Sequence, residues 1–222
     1  MIDILIITPE ITKGMKSVGS KCLLPLKKNL SVIEYQITQA QKICRQSHIT
    51  INIGFDSEKI ISKLYRYRSI KYLINNEYLN TNQANNLLLY INQYRPKNLL
   101  IFSSGILLKD HALQKTDLKD ECKIFMLNKE KQNFSIGSSS AKKLEYLFFD
   151  MEEPWSEIVY LNKEAIDILL QQDRSVFDQM YLFEVINFLL SKNIEFTKIY
   201  LNKSQIMKIN NSKDINKAKI FV

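Results

Sequence analysis

The chain has 222 residues, enough for one domain with a sizeable core or one domain plus a small lobe. It is 45% hydrophobic and 24% charged, an ordinary balance for a folded protein, and no apolar run approaches the length that spans a membrane. The net charge of +8 favours an anionic partner, but the basic residues are spread along the chain as on a solvated surface.

Residues 2–8 form an apolar run that predicts a buried first strand. Met1 leads straight into it without a signal peptide, which makes the cytoplasm the expected location. The run feeds into "ITPEITKGMKSVGSKCLLPL", residues 7–26, whose "GMKSVGSK" is close to a phosphate-binding P-loop. A Walker loop puts Lys directly after the second Gly, then Ser or Thr for Mg²⁺, with a helix starting there. Here Ser20 precedes Lys21, Cys22 holds the hydroxyl position, and Pro25 arrives where the helix should run, so the P-loop is rejected.

Residues 31–45 predict a helix that opens on a capping box, Ser31 and Glu34, and lines one face with Ile33, Ile37, Ala40 and Cys44. A strand over 49–54 follows, then a helix over 56–66 capped by Asp56 or Ser57 and burying Ile60, Ile61 and Leu64. Further strands are expected at 70–75, 98–103, 123–127, 133–136, 144–149, 157–161, 194–201 and 205–209, and further helices at 82–94, 163–172, 180–191 and 212–220. Strands alternating with helices indicate an α/β fold with a mainly parallel central sheet and helices on both faces. Residues 1–222 read as a single domain, with a more irregular inserted lobe around 128–157 that contains "GSSSAKK" and "MEEPW".

Cys22, Cys44 and Cys122 are scattered, without a CxxC pair, and read as reduced structural thiols. His48 and His111 are the only histidines, which leaves His-based metal or triad chemistry almost nothing to work with. Of the five glycines only Gly14 and Gly19 lie near each other, whereas a backbone phosphate cradle needs several close together. "KLYRYRSIKY", residues 63–72, interleaves cations with aromatics as nucleic-acid surfaces do. The preferred reading places Arg66 and Arg68 at a helix C-terminus, where cations complement the dipole. Trp155 stacks on a ligand or, the preferred reading, lies half-buried at the lobe edge. "GSSSAKK" forms an anion-binding nest or, again preferred, a mobile loop.

One family fits the rejected P-loop residues. The order strand, loop, "SKCLLPL", "LSVIEYQI" resembles the N-terminus of sugar-phosphate and choline-phosphate-type nucleotidyltransferases, which have a GT-A-like, nucleotide-diphospho-sugar transferase fold. There a glycine-rich loop ending in Arg precedes Pro-Lys-x-Leu-Leu-Pro-Leu, and Lys21 takes the place of the lysine that reaches the phosphates. "INIGFDSEKI" resembles the family's strand–Gly–Tyr–helix step at Gly54 and Phe55. "INNEYLNTNQANNL" resembles its Asn-Pro-x-Tyr…Thr-Asn-x-x-Ser-Leu segment at Asn75, Tyr78, Thr81, Asn82 and Leu87, with Asn86 for the serine. "NLLIFSSGILL" resembles the strand that normally ends in Gly-Asp, "WSEIVYLNKEAIDIL" the edge after the acceptor lobe, and "IMKINNSKDINKAKIF" the closing Glu-Ile-Asp segment. The resemblance implies neighbouring C-terminal strand ends at Thr8, Gly54 and Ser104.

The departures fall on the chemistry. The family's two metal-holding aspartates align with Gly105 and Asn210, which read as degenerate metal positions. Its Gly-x-Gly-x-Arg loop aligns with residues 10–14, where Gly14 replaces Arg and Glu10 sets a negative charge near the triphosphate. Asp110 reads as a displaced ligand or an exposed turn residue, and Asp214 as a structural carboxylate near the last helix. Lys21 is a phosphate binder or a surface lysine; Thr81 and Asn82 contact a base or sugar, or cap a helix.

The resulting expectation is a nucleotidyltransferase-like protein that has lost catalysis and acts as a binding, regulatory or assembly subunit. An active enzyme acting on a phosphorylated sugar or phospho-alcohol is the alternative, and a nucleic-acid-associated protein the second. No catalytic residue and no resident metal or cofactor is expected; Mg²⁺ and a nucleoside triphosphate enter only with the active enzyme. Lys21, Thr81 and Asn82 are the expected residual nucleotide site. A weakly bound nucleotide or sugar phosphate and a protein partner in an assembly are the expected partners; a membrane is not, and nucleic acid is disfavoured.

Overall fold

The computed structural model describes residues 2–8, 19–43, 47–113, 116–128, 135–211 and 213–222. Glu10, Gly14, most of the "GMKSVGSK" stretch, Cys44 and most of the strand expected over 133–136 lie outside them. The fold is mixed α/β with a mostly parallel central sheet, as the element order predicts. The chain divides into two compact units, Met1–Leu79 with Phe102–Thr116 and Ser204–Val222, and Asn80–Ile101 with Asp117–Lys203. Among the described residues no helix is long and apolar enough to cross a membrane.

In the first unit β1 (Asp3–Ile7) pairs in parallel with β4 (His48–Ile53), and β4 with β5 (Ile70–Ile74). The last residues of β6 (Leu99–Ser103) lie beside β1. Ile4, Leu5, Ile6 and Ile7 are all buried, and continuous burial without alternation marks a strand covered on both faces. Thr8 N donates to Asn52 O at 2.9 Å, Ser104 N to Ile7 O at 2.9 Å, and Asn75 N to Ile53 O at 2.8 Å. Thr8, Gly54 and Ser104 therefore stand at neighbouring C-terminal strand ends, where α/β folds place their clefts.

Helix α1 (Val32–Ile43) starts as its capping box predicts: Ser31 N and Oγ both donate to Glu34 Oε2, at 2.8 and 2.7 Å. Its buried Gln36 Nε2 donates to Ser103 O and Ile106 O at 3.0 and 2.9 Å, so the helix fixes the turn between β6 and β7 (Ile106–Leu108). Helix α2 (Ser57–Lys63) is shorter than the expected 56–66, and Asp56 does not cap it. Asp56 stands at φ 57°, and its carboxylate instead accepts from Ser20 N and Lys59 Nζ, at 2.9 and 2.7 Å. The hairpin β2 (Pro25–Lys27) and β3 (Leu30–Ser31) helps to close a second core of Leu24, Leu26, Val32, Leu107, Ile209 and Ala218.

In the second unit β8 (Cys122–Leu127) pairs antiparallel with β11 (Glu153–Leu161) and parallel with β12 (Phe196–Leu201). β9 (Ile136–Ser138) and β10 (Phe148–Phe149) extend β11, and α3 (Gln83–Tyr94), α4 (Lys163–Leu170) and α5 (Leu182–Ser191) complete the unit. Part of "MEEPW", expected to be irregular, opens β11, with Glu153, Pro154 and Trp155 buried. Glu153 tolerates burial because Lys198 pairs with it at 3.0 Å, the two side chains being 5% and 2% exposed. Lys198 Nζ also donates to Ser139 O and Ala141 O at 2.8 Å each, and Tyr200 Oη donates to Glu153 at 2.9 Å. The "GSSSAKK" loop thus turns carbonyls onto a cation, the opposite polarity to an anion nest.

Removing one member of a buried ion pair leaves the other charge unpaired, at a cost of roughly 3–5 kcal/mol. Lys198→Ala is expected to lose stability of that order in denaturant unfolding, and Lys198→Met with Glu153→Leu to lose clearly less. Equal losses for the two variants would contradict this account. Alkaline pH tests the same unit: burial, with nearby acidic groups, pushes the Tyr160 hydroxyl up to about 12, and burial with Glu153 does the same for Tyr200. Both contributions to stability are complete below about pH 10, the ordinary tyrosine range, and are lost as pH rises towards 12. The denaturant midpoint should therefore fall between pH 10 and pH 12.

Candidate functional site

In the first unit Lys21 opens a single 3-10 turn, Lys21–Leu23. The turn is set from below by Asp56, which takes the Ser20 N–H and stands 3.1 Å from where a Cβ on Gly19 would lie. At φ +86° Gly19 occupies backbone space that L side chains rarely enter. Cys22 is buried beside Ser20 Oγ at 3.2 Å, and burial pushes its thiol up to about 11, away from reactivity. It is inert structural chemistry in the place where a P-loop would hold its metal-binding hydroxyl.

The Lys21 side chain crosses the turn after β6. A Cβ built on Gly105 would lie 2.5 Å from Lys21 Cδ, 3.4 Å from its Nζ and 3.1 Å from Ile209 O. Gly105 itself has φ +86°, and its carbonyl accepts from Ile209 N at 2.9 Å. Lys21, Gly105 and the Ile209–Asn210 backbone are thus brought together, as the motif order implies. The lysine stem occupies the space that a side chain at position 105 would need.

Two carboxylates close in sequence to these positions, Asp214 and Asp110, already accept hydrogen bonds. Asp214 opens α6 (Asp214–Phe221), where its Oδ2 accepts from Asn210 N at 2.9 Å and Asn211 N at 3.1 Å. That is the structural role expected of it. Asp110 accepts from Lys42 at 2.7 Å and Gln39 at 3.0 Å, and these bonds hold its carboxyl below the usual range. Among the described residues no three His, Cys, Asp or Glu gather so as to hold a metal ion. Gly105 and Asn210, the positions that the family resemblance assigns to the metal, themselves bring no carboxylate to this turn.

The "INIGF" and "INNEY" segments also meet in the first unit. The Phe55 and Tyr78 rings lie 6.5 Å apart, and Gly54, Asp56, Asn75 and Tyr78 line a cavity of about 330 Å³.

In the second unit Thr81 is buried and Asn82 stands at the N-cap position of α3. The Asn82 side chain makes no capping bond; it donates to Gln179 O at 2.7 Å, while its backbone N donates to Asp178 O at 2.7 Å. Asn85 donates to the Asp178 carboxylate and Gln179 to Asn80 O, so the segment holds the 178–179 loop from several sides.

That loop leads into a feature with no sequence signature. Phe149, Trp155, Tyr181 and Phe183, with Gln83, Ile136 and Glu157, line a cavity of about 270 Å³. A register shift in β11 between Trp155 and Ile158, with Glu157 at φ 62°, shapes one wall. Trp155 Nε1 donates to Ile158 O at 2.9 Å, which fixes the indole, and the ring is more buried than the half-buried edge expected. Phe149 meets Phe183 edge-on at 5.6 Å, and Tyr181 stacks on Phe183 at 6.0 Å. These aromatics come from three separate stretches, and only the "FF" doublet at 148–149 hints at them.

No family model matches the sequence, and no curated protein matches it. Solved structures do match in fold. The CTP:phosphocholine cytidylyltransferase of Streptococcus pneumoniae superposes with a TM-score of 0.80 at 14% identity, over 99% of this chain and 98% of that one. A Bacillus anthracis protein assigned as a glucose-1-phosphate thymidylyltransferase gives 0.80 at 12% identity, over 99% and 94%. The inositol-1-phosphate CTP transferase of T. maritima gives 0.76 at 10% identity, over 99% and 94%. At such identities the likeness is one of fold, and the fold it shows along the whole chain is that of nucleotidyltransferases.

Proposed function

We propose that the chain is a nucleotidyltransferase-like protein that binds a small phosphorylated ligand without transferring a nucleotide and serves as a binding, regulatory or assembly subunit. The observation that carries this reading is the Lys21 side chain lying across Gly105. Nucleotidyl transfer gathers negative charge around the α-phosphorus, and metal ions held by carboxylates stabilise it. Gly105 offers no side-chain ligand, Asn210 no charge, Asp214 is turned onto the N–H groups of Asn210 and Asn211, and Asp110 is paired with Lys42. A lysine that attracts phosphate equally in ground and transition states adds affinity without raising the rate of the chemical step.

Among the substrates in the neighbours' names, phosphocholine suits the aromatic cavity of the second unit best. Four aromatic side chains and the Glu157 carboxylate line it. Aromatic faces attract a quaternary ammonium through their quadrupole, by about 0.5–2 kcal/mol each. A sugar would instead call for more hydrogen-bonding side chains than Gln83, Tyr181 and Glu157 provide. Asn82 then acts as a positioning residue that holds the loop before Tyr181, and Lys21, separately and within the first unit, is assigned the attraction for a nucleotide phosphate.

Two measurements test the reading. No Mg²⁺-dependent pyrophosphate release is expected with CTP, UTP, ATP or GTP and a panel of sugar phosphates and phosphocholine. Robust release by the unmodified protein would overturn it in favour of the active enzyme. Gly105→Asp with Asn210→Asp should also stay silent and lose about 1–3 kcal/mol of stability, since Asp at φ +86° is strained and meets Lys21.

Trp155 is the only tryptophan, so intrinsic fluorescence reports the cavity directly. Phosphocholine should change the emission saturably, glucose 1-phosphate should not, and Phe183→Ala should weaken the phosphocholine response at least about 5-fold, the loss of one aromatic face. The reverse order of ligands would move the assignment to a sugar phosphate.

A further inference from the structure

The charge of this protein is divided unequally. The first unit carries 18 Lys and Arg against 8 Asp and Glu, a net +10, and the second 13 against 15, a net −2. Part of the excess lies in the segment between α2 and β5. The expectation of Arg66 and Arg68 as cations complementing a helix C-terminus is weakened by where the helix ends. Helix α2 ends at Lys63, with Leu64 as its C-cap, while the field of a helix end fades within its last turn. Arg66 and Arg68 lie beyond it, on turns fixed by Tyr67 N to Leu64 O at 2.9 Å and Ile70 N to Tyr67 O at 3.3 Å.

The surroundings of these arginines are specific. Tyr65 is 74% exposed, and the Arg66 guanidinium sits over its ring at 5.8 Å. Lys59 and Lys63 are paired with Asp56 and Glu34. Among the described residues no ion pair engages Arg66 or Arg68, and both are exposed. The segment feeds into β5, the end strand of its sheet, where Lys71 and Ile74 are also exposed. The result is an edge strip with an exposed tyrosine, one guanidinium packed against its ring, and, among the described residues, no carboxylate paired with either arginine.

We infer that the Tyr65–Tyr72 edge binds single-stranded nucleic acid, with Tyr65 stacking on a base and Arg66 and Arg68 taking the flanking phosphates. Stacking on an open aromatic face needs an unpaired base, which a duplex withholds, and the guanidinium groups match phosphate oxygens in geometry as well as charge. This role is independent of the small-ligand reading above, and either can fail without the other.

The test is fluorescence anisotropy of a labelled twelve-nucleotide oligo-dT with the full chain, at 50 and 200 mM salt. Binding should weaken roughly 7- to 50-fold across that range, as expected for about two to four phosphate contacts. Arg66→Gln with Arg68→Gln should weaken it by about 10-fold or more at low salt and flatten the salt dependence. Tyr65→Ala should weaken it at least about 5-fold while leaving inorganic polyphosphate binding unchanged, and Tyr65→Phe should retain affinity, because stacking needs the ring and not the hydroxyl. No binding at 50 mM salt, or indifference to the double arginine substitution, would overturn the inference. So would equal loss of oligonucleotide and polyphosphate binding in Tyr65→Ala, or tighter binding to phosphatidylserine vesicles than to the oligonucleotide.

Discussion

The turn at Gly105 is the constraint on which the candidate site in the first unit depends. Gln36 of α1 bonds the carbonyls on either side of it, at Ser103 and Ile106, and Ile209 N bonds the carbonyl of Gly105 itself. A buried amide that holds two carbonyls across a turn leaves it little freedom, since losing either bond exposes a buried acceptor. The backbone is thereby held at φ +86°, and the space beside Gly105 is open to whatever crosses it. What crosses it is Lys21, whose own turn is set by Asp56 through Ser20 and Gly19. Helix α1, the Lys21 turn, the Gly105 turn and the β13 (Ile206–Lys208) end thus form one mechanically connected group.

The chemical character of that group follows from its composition. A fold that carries carboxylates at these two strand ends presents a negative pair to a divalent cation. Here the same turn presents an ammonium group and two backbone carbonyls, and Asp214 is turned onto the N–H groups of Asn210 and Asn211. On the proposed reading the site has exchanged a place for a cation for a cation of its own. That exchange keeps an attraction for phosphate while giving up the charge that follows the reaction coordinate.

Much of this was legible in the sequence, and the limits are physical. Elements of five or more residues were found because burial marks them with a pattern, an unbroken apolar run in β1 and the Ile33–Ile37–Ala40 stripe in α1. The neighbourhood of Lys21, Gly105 and Asn210 was legible through the order of motifs, which fixes which strand ends meet. The hairpin β2–β3 and strand β7 were not, since two or three residues carry no period. Glu153 read as part of a polar lobe because its partner Lys198 lies 45 residues away. The aromatic cavity was invisible for a similar reason. Its walls come from separate stretches, and the bulge that aims them rests on Glu157 at positive φ, a position that no glycine marks.

The α2–β5 segment shows how a boundary error of three residues changes a functional reading. With a helix to residue 66, Arg66 and Arg68 complement its dipole and need no partner. With the helix ending at Lys63, the same two arginines lie beside an exposed tyrosine and, among the described residues, pair with no carboxylate. The shortening has a local cause. Asp56 is drawn away from capping by Ser20 N and Lys59, so the helix starts from an uncapped left-handed residue. At the other end Leu64 is fully buried, and its N–H is shared between Ile60 O and Ile61 O. Burying Leu64 in the core turns the chain there, and Tyr65 and Arg66 are carried outward as a consequence. The anchor that sets the Lys21 turn, Asp56, is therefore also the residue that α2 does without as its cap, so the candidate site and the aromatic–arginine edge are linked through one carboxylate.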